Sequence, residues 1–147
     1  MAYHPIRETD REEYLQMTAA FYATDAVIRP IPQEHREATF AELMRSDTYA
    51  AAYILEENGE TVGYALLAKT FSQEAGGLVV WVEELYVKPP YRGRGIGSQF
   101  LRDLVAEPPA GTKRIRLEVE KENEAAVRLY RSLGFDWLAY DQMVLET

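Results

Sequence analysis

The sequence predicts an α+β fold, a mixed α/β sandwich formed by a single domain over residues 1–147. Hydrophobic periodicity alternates between helix-like and strand-like in the order βααβββαβαβ. An Asn-Gly pair divides two apolar runs near mid-chain, which predicts antiparallel hairpin strands. A strand, a glycine-rich loop and a helix follow one another only past mid-chain, whereas a doubly wound fold would place such a unit at its first strand.

The elements follow in order. Tyr3 to Glu8 reads as a short strand, and Thr9-Asp10 offers a capping pair before Tyr14, Met17, Phe21 and Tyr22, spaced as on an amphipathic helix. Ala23 to Pro32 interrupts it. Pro32 suits a first helical turn, and Phe40, Leu43 and Met44 share one face of a second helix that ends near Ser46-Asp47. Strands are expected at Tyr49–Glu56 and Thr61–Thr70, joined by the Asn58-Gly59 turn. After the polar loop Ser72 to Gly77, Leu78 to Lys88 reads as a long strand stopped by Pro89-Pro90. Ile96, Phe100, Leu101, Leu104 and Val105 mark a helix over Gly95–Ala106, closed by Pro108-Pro109. Ile115, Leu117 and Val119 alternate with charged residues from Arg114 to Glu120, the pattern of a strand with two unlike faces. Asn123 can cap a helix carrying Ala126, Val127, Leu129, Tyr130 and Leu133, and Gly134 supplies its stop. Phe135 to Leu145 is expected to close the chain as a β segment or hairpin. No repeat, linker or low-complexity tract divides the chain.

Composition narrows the function classes. The chain of 147 residues, nearly half apolar, can bury one continuous core. It has no cysteine, which excludes disulfides, thiolate metal sites and cysteine nucleophiles, and a cytoplasmic setting is the simplest expectation. The first residues lack the basic leader and apolar stretch of a secretory signal, and the apolar runs are too short to cross a bilayer. A net charge of −8 argues against a nucleic-acid partner and suits a cationic small molecule, or simply keeps the protein soluble. His4 and His35 belong to no metal-spaced cluster, so no metal is expected.

Chemistry is concentrated in Tyr91-Arg92-Gly93-Arg94-Gly95-Ile96-Gly97, between the long strand and the following helix. Three glycines let a ligand approach the backbone, and a helix start offers unpaired amides with a partial positive charge. Arg92 and Arg94 add cationic donors. Such a loop can cradle a diphosphate; the plain alternative is a tight turn with solvated arginines. The P-loop lysine and hydroxyl are missing, and Ser98 and Phe100 stand where a dinucleotide fingerprint needs a third glycine.

Arg92 to Gly97 resembles the Arg/Gln-x-x-Gly-x-Gly/Ala motif of the GNAT superfamily of acetyl-CoA-dependent N-acetyltransferases, and the preceding Leu85-Tyr86-Val87-Lys88-Pro89 is similar to its strand ending. Asn123 to Phe135 resembles the second hallmark, Asn-x-x-Ala-x-x-x-Tyr-x-x-x-Gly-Phe, in the expected order and separation. The N-terminal half agrees in element order alone.

The resemblance implies a mostly antiparallel twisted sheet, flanked by helices, with a V-shaped splay between strands 4 and 5. It implies acetyl-CoA as cosubstrate, with its pyrophosphate on the amides of Arg92, Gly93, Arg94, Gly95, Ile96, Gly97 and Ser98. Leu85, Tyr86 and Val87 line its arm, the backbone of Tyr86 and Val87 holding the pantetheine and an amide there polarising the thioester carbonyl. Tyr130 is the implied acid for the departing thiolate, and Asn123, two turns earlier on the same face, contacts the cofactor arm or fixes the helix.

An alkyl ammonium with pKa about 10.4 must lose a proton before it attacks. Glu83 and Glu84, just before Leu85, resemble the paired acids of polyamine and diamine acetyltransferases. Neighbours on a strand face opposite sides, so one of them is expected to reach the cleft. Parity with Leu85 and Val87 favours Glu83, and burial polarity could reverse that choice. A carboxylate with pKa near 4.3 is too weak a base alone, which favours cation binding and proton relay through water. Phe21, Tyr22, Asp25 and His35 are candidates for an acceptor pocket roofed by the first two helices. The implied acceptor is a small cationic amine of polyamine, aminoglycoside or lysine-like type, with no membrane partner and a possible homodimer. The alternatives are a protein or peptide N-acetyltransferase and a non-catalytic acyl-CoA-binding regulatory domain.

Overall fold

In the computed structural model, which describes residues 1–25 and 27–147, the chain runs β1 (Ala2–Pro5), α1 (Arg11–Phe21), α2 (Gln33–Arg45), β2 (Ala50–Glu57), β3 (Glu60–Ser72), β4 (Gly77–Val87), α3 (Ile96–Ala106), β5 (Thr112–Leu117) and α4 (Glu124–Ser132). The strands form one sheet in that order. All neighbours are antiparallel except β4 and β5, which are parallel and joined through α3. At the β2–β3 turn Asn58 and Gly59 take φ of 53° and 78°, the two positive values that a tight hairpin of matching twist requires.

Period-2 alternation sends the strands into two cores. Ile54, Tyr64 and Leu66 meet Tyr14 and Met17 of α1 and Phe40 of α2 on one face. On the other, Leu55, Ala65, Leu67 and Val80 meet Ile96, Phe100 and Leu104 of α3. Each such side chain contributes about 1.5–3 kcal/mol on full burial, which holds both helical layers to the sheet. The α1 entrance is set by Asp10, whose carboxylate accepts from the Arg7 amide at 2.8 Å and lies 3.1 Å from His4. His4 also meets Glu56 at 2.7 Å. Among the described residues no helix is long and apolar enough to cross a membrane.

Two features of β4 position the site. Leu67 pairs with Val82 and Leu66 with Glu84, so Glu83 is the extra residue of a β-bulge. The β4–β5 ladder runs from Leu78↔Thr112 to Val82↔Leu117 and ends there, while β4 continues to Val87. The sheet therefore opens between β4 and β5 beyond Val82, where the splay is expected.

Two expectations fail near the C-terminus. The strand read through Glu120 ends at Leu117, and no strand forms between Phe135 and Leu145. Strand-favouring residues make a strand only when a ladder accepts them. Here local bonds turn the backbone away: the Trp137 amide donates to the Asp136 carboxylate at 2.8 Å and the Tyr140 amide to the Leu138 carbonyl at 2.9 Å. Tyr140, Met143, Val144 and Leu145 are left exposed.

Candidate functional site

Among the described residues the edge of β4 that faces β5 has no strand partner beyond Val82. The Lys88 amide donates to the Val62 carbonyl of β3 at 2.8 Å, whereas the Val87 carbonyl accepts from Arg92 Nε at 2.7 Å. Backbone polar groups alternate sides along a strand. Leu85 and Val87 therefore turn theirs into the opening, and Glu84 and Tyr86 turn theirs toward β3. This corrects the expectation for Tyr86: its backbone belongs to the β3–β4 ladder, and its ring packs on Tyr64 at 5.8 Å. Gly63 fits the same geometry, since an added Cβ would fall closer than 3.0 Å to the Tyr86 carbonyl oxygen.

At the far end of β4 a short turn, Pro89–Tyr91, leads into the glycine loop. Gly93 and Gly95 take φ of 78° and 76°, and a Cβ at either would meet only open space. Gly95 is the residue before α3, and the first amide to be used inward is that of Gln99, which donates to the Gly95 carbonyl at 2.9 Å. Among the described residues no backbone carbonyl outside the helix accepts from the amides of Gly93 to Ser98. Ile96 anchors this start in the α3 core. Gly97 lies against the opening: an added Cβ would sit 3.4 Å from Leu85 Cδ2 and 3.9 Å from Val87 Cγ2. A recess of about 460 Å³ beside the helix start is lined by Arg94, Gly95, Gln99 and Arg102, together with the acids Glu57 and Asp103. Free amides, a helix start and arginines around open space fit a diphosphate, and the adjoining strand edge offers amides to an extended amide-bearing arm. Arg92 lies over the Tyr86 ring at 5.5 Å, and Arg94 pairs with Glu57 at 2.9 Å, so both guanidiniums already have partners.

The bulge separates the two acids. Glu84 is half-buried beneath α1: its carboxylate accepts from the Tyr22 hydroxyl at 2.5 Å and from the Tyr64 hydroxyl at 2.6 Å. Parity with Leu85 and Val87 favoured Glu83 for the cleft; Glu84 is the acid that lies beneath α1, against Tyr22. Glu83 stays largely accessible, yet partial burial holds its carboxyl above the ordinary carboxylate range, with the Glu118 and Glu84 charges adding to the effect. Among the roof candidates Tyr22 reaches the site, Phe21 packs against it at 5.1 Å, and His35 is exposed on α2.

Tyr130 is half-buried on α4 and lines a cavity of about 1330 Å³ with Trp81, Leu117, Glu118 and Val119, the residues flanking the point where β4 and β5 part. Burial raises its phenol above the ordinary value. The cavity wall includes neither Glu83–Val87 nor Arg92–Ser98 among the described residues. Asn123 is exposed, and its Oδ1 accepts from the Ala126 amide at 3.2 Å, which makes it the cap of α4. The structure thus joins the glycine loop to the open strand edge and Glu84 to two tyrosines, while Tyr130 lines a cavity that Trp81 and Leu117 also line.

Three members were missed in the sequence. Tyr64 reads as an ordinary strand aromatic, because its role depends on cross-strand register. Glu118 lay within the predicted strand and not beside Glu83. Gly63 did carry a signal, since an isolated glycine inside a strand marks a close backbone approach or a bulge.

Residues 8–135 match the family described as Acetyltransferase (GNAT) family. The chain is 40% identical over 90 residues to a thialysine N-epsilon-acetyltransferase of Bos taurus, covering 56% of this chain and 52% of that one. It is 39% identical over 82 residues to the N-alpha-acetyltransferase RimI of Mycobacterium tuberculosis, covering 52% and 46%. The chain spans about half the length of the curated relatives it matches. Among solved structures, AAC(6')-Iy in complex with the bisubstrate analog CoA-S-monomethyl-acetylneamine shares the fold, with a TM-score of 0.78 at 17% identity over 99% of this chain and 97% of that one.

Proposed function

The chain belongs to the acetyltransferase (GNAT) family, and from that premise we propose that it transfers the acetyl group of acetyl-CoA to a primary amine of a small cationic acceptor. The observation that carries this reading is the unpaired edge of β4, bounded by a glycine-opened helix start at one end and a phenol-held carboxylate on its other face. Acetyl-CoA, when bound, supplies an acetyl thioester. The amides of Gly93 to Ser98 bind its diphosphate, and the amides of Leu85 and Val87 hold the arm and stabilise negative charge on the carbonyl oxygen. Glu84 holds the ammonium of the acceptor. Glu83, whose carboxyl is held above the ordinary carboxylate range, takes up the amine proton through water. Tyr130 donates a hydrogen bond to the departing thiolate. Thialysine in the name of the bovine relative and the neamine part of the structural neighbour's ligand support an amine acceptor with further cationic groups.

The α-amine of a peptide is the second reading, favoured by the RimI relative. Free-thiol release from acetyl-CoA over a panel of diamines, aminoglycosides, lysine analogues and a short peptide separates the two. Cofactor binding with no amine-dependent release across the panel would leave only a regulatory binding domain.

Two substitutions test the assignments. Arg92→Ala is expected to weaken acetyl-CoA binding by about 1.5–3 kcal/mol, the worth of a charge-assisted hydrogen bond. Unchanged affinity by calorimetry would confine this guanidinium to the Val87 carbonyl. Glu84→Gln keeps the shape and removes the charge, and is expected to raise the Michaelis constant for a diamine about 10-fold or more. An equal response from an uncharged amine would remove Glu84 from cation binding.

A further inference from the structure

Glu84 differs from the other carboxylates of the sheet in how it is held. Each of its oxygens accepts one phenol, Tyr64 at 2.6 Å and Tyr22 at 2.5 Å. The two phenols come from different layers. Tyr64 is fully buried in β3, and its ring is wedged between Tyr14 at 5.4 Å and Tyr86 at 5.8 Å, so its hydroxyl can point nowhere else. Tyr22 closes the last turn of α1, where its amide donates to the Thr18 carbonyl at 3.0 Å and its ring meets Phe21. Burial is the largest cause raising both phenols, with the Glu84 charge and hydrogen bond adding to it, so both remain protonated donors at neutral pH.

A carboxylate offers about four lone-pair sites, so two remain once both phenols have bonded. With both oxygens fixed, those two sites point in a set direction, and they can only accept. They suit the N–H groups of an ammonium; a neutral amine gains nothing from the charge. Rotation of the carboxylate, the usual loss when a flexible acid binds a cation, has already been removed.

We propose that Tyr22 and Tyr64 are positioning residues that aim Glu84 at the ammonium of the acceptor and so set selectivity for a charged amine over an uncharged one. The proposal rests on the acetyl-transfer reading and adds two residues that touch neither the reacting atoms nor the cofactor loop. It also gives the loop after α1 a function, since Tyr22 ties that loop to β4.

The test compares Tyr22→Phe and Tyr64→Phe with the parent chain, using putrescine as the charged acceptor and hydroxylamine as the uncharged one, with the enzyme-free rate subtracted. Each variant keeps its ring. The expected result is a Michaelis constant for putrescine raised about tenfold, with kcat and the constants for hydroxylamine and acetyl-CoA changed by less than about twofold. In a Glu84→Gln background, Tyr22→Phe is expected to add nothing further, because the charge that Tyr22 aims is already gone. Equal changes for both amines, no change for putrescine, or full additivity with Glu84→Gln would each overturn the positioning role. If Tyr64→Phe fails to fold, Tyr22→Phe decides alone, since that ring is partly exposed. A parent chain with no amine-dependent thiol release overturns the acetyl-transfer reading and this proposal together, whereas an active parent with unaffected variants overturns only the latter.

Discussion

Replacing Tyr130 with phenylalanine is expected to lower kcat for thiol release about 100-fold while the dissociation constant for acetyl-CoA changes by less than about twofold. The substitution keeps the ring and its contact with Phe135 at 6.0 Å, so α4 should stay in place. Only the hydroxyl is lost, on a residue that lines the same cavity as Leu117 and Glu118. Burial alone raises this phenol. Its proton is therefore retained throughout the neutral range, and the donor disappears only above about pH 10. A raised pKa also makes complete transfer to a thiolate more uphill, so the larger share of the effect is a hydrogen bond that strengthens as negative charge develops on sulfur. Stopped-flow thiol release and cofactor titration on the same preparation separate the two quantities. Undiminished turnover would take Tyr130 out of the chemistry, and a matched fall in affinity would make it a binding residue.

The second large effect is on stability. Gly63→Ala places a methyl group against the Tyr86 carbonyl oxygen, a backbone atom bound into the longest ladder of the sheet. Neither strand can retreat without disturbing Tyr64 on one face or Val62 on the other, both fully buried. We expect a loss of about 2–4 kcal/mol, or roughly 10 °C in Tm for a chain of this size. Because Tyr86 stands between Leu85 and Val87, the surviving folded protein should also bind acetyl-CoA less tightly. Scanning calorimetry within about 2 °C of the parent would show that β3 and β4 are less tightly coupled than their register implies.

Local signals carried most of the fold. Asn58-Gly59, Pro89-Pro90, Gly95, Asn123 and Gly134 each act within a few residues, and each punctuates the chain where the sequence reading places it. The glycine loop was legible for the same reason, since a helix start and positive φ are properties of a short segment. What escaped depends on register between distant segments. The bulge at Glu83 cannot be seen from β4 alone: only the pairing of Leu66 with Glu84 and Leu67 with Val82 reveals it, and it turns Glu84 toward Tyr22 and Tyr64. Tyr64 and Gly63 act across the ladder in the same way. At the C-terminus the strand pattern in Phe135–Leu145 was real as composition, but a strand needs an accepting neighbour, and local bonds at Asp136 and Leu138 turned the backbone aside.

The extra residue in β4 works as a half-step in the phase of the strand. Upstream of it Val80 and Val82 face α3; downstream, Leu85 and Val87 do so again, and Glu84 and Tyr86 look toward α1 and α2. Losing the bulge, with Glu83 paired as an ordinary ladder residue, would swing Glu84 to the α3 side and invert the two layers downstream. Keeping it leaves the α1–α2 layer free to drift toward new acceptors by ordinary substitution, while the amide row opposite keeps its alignment.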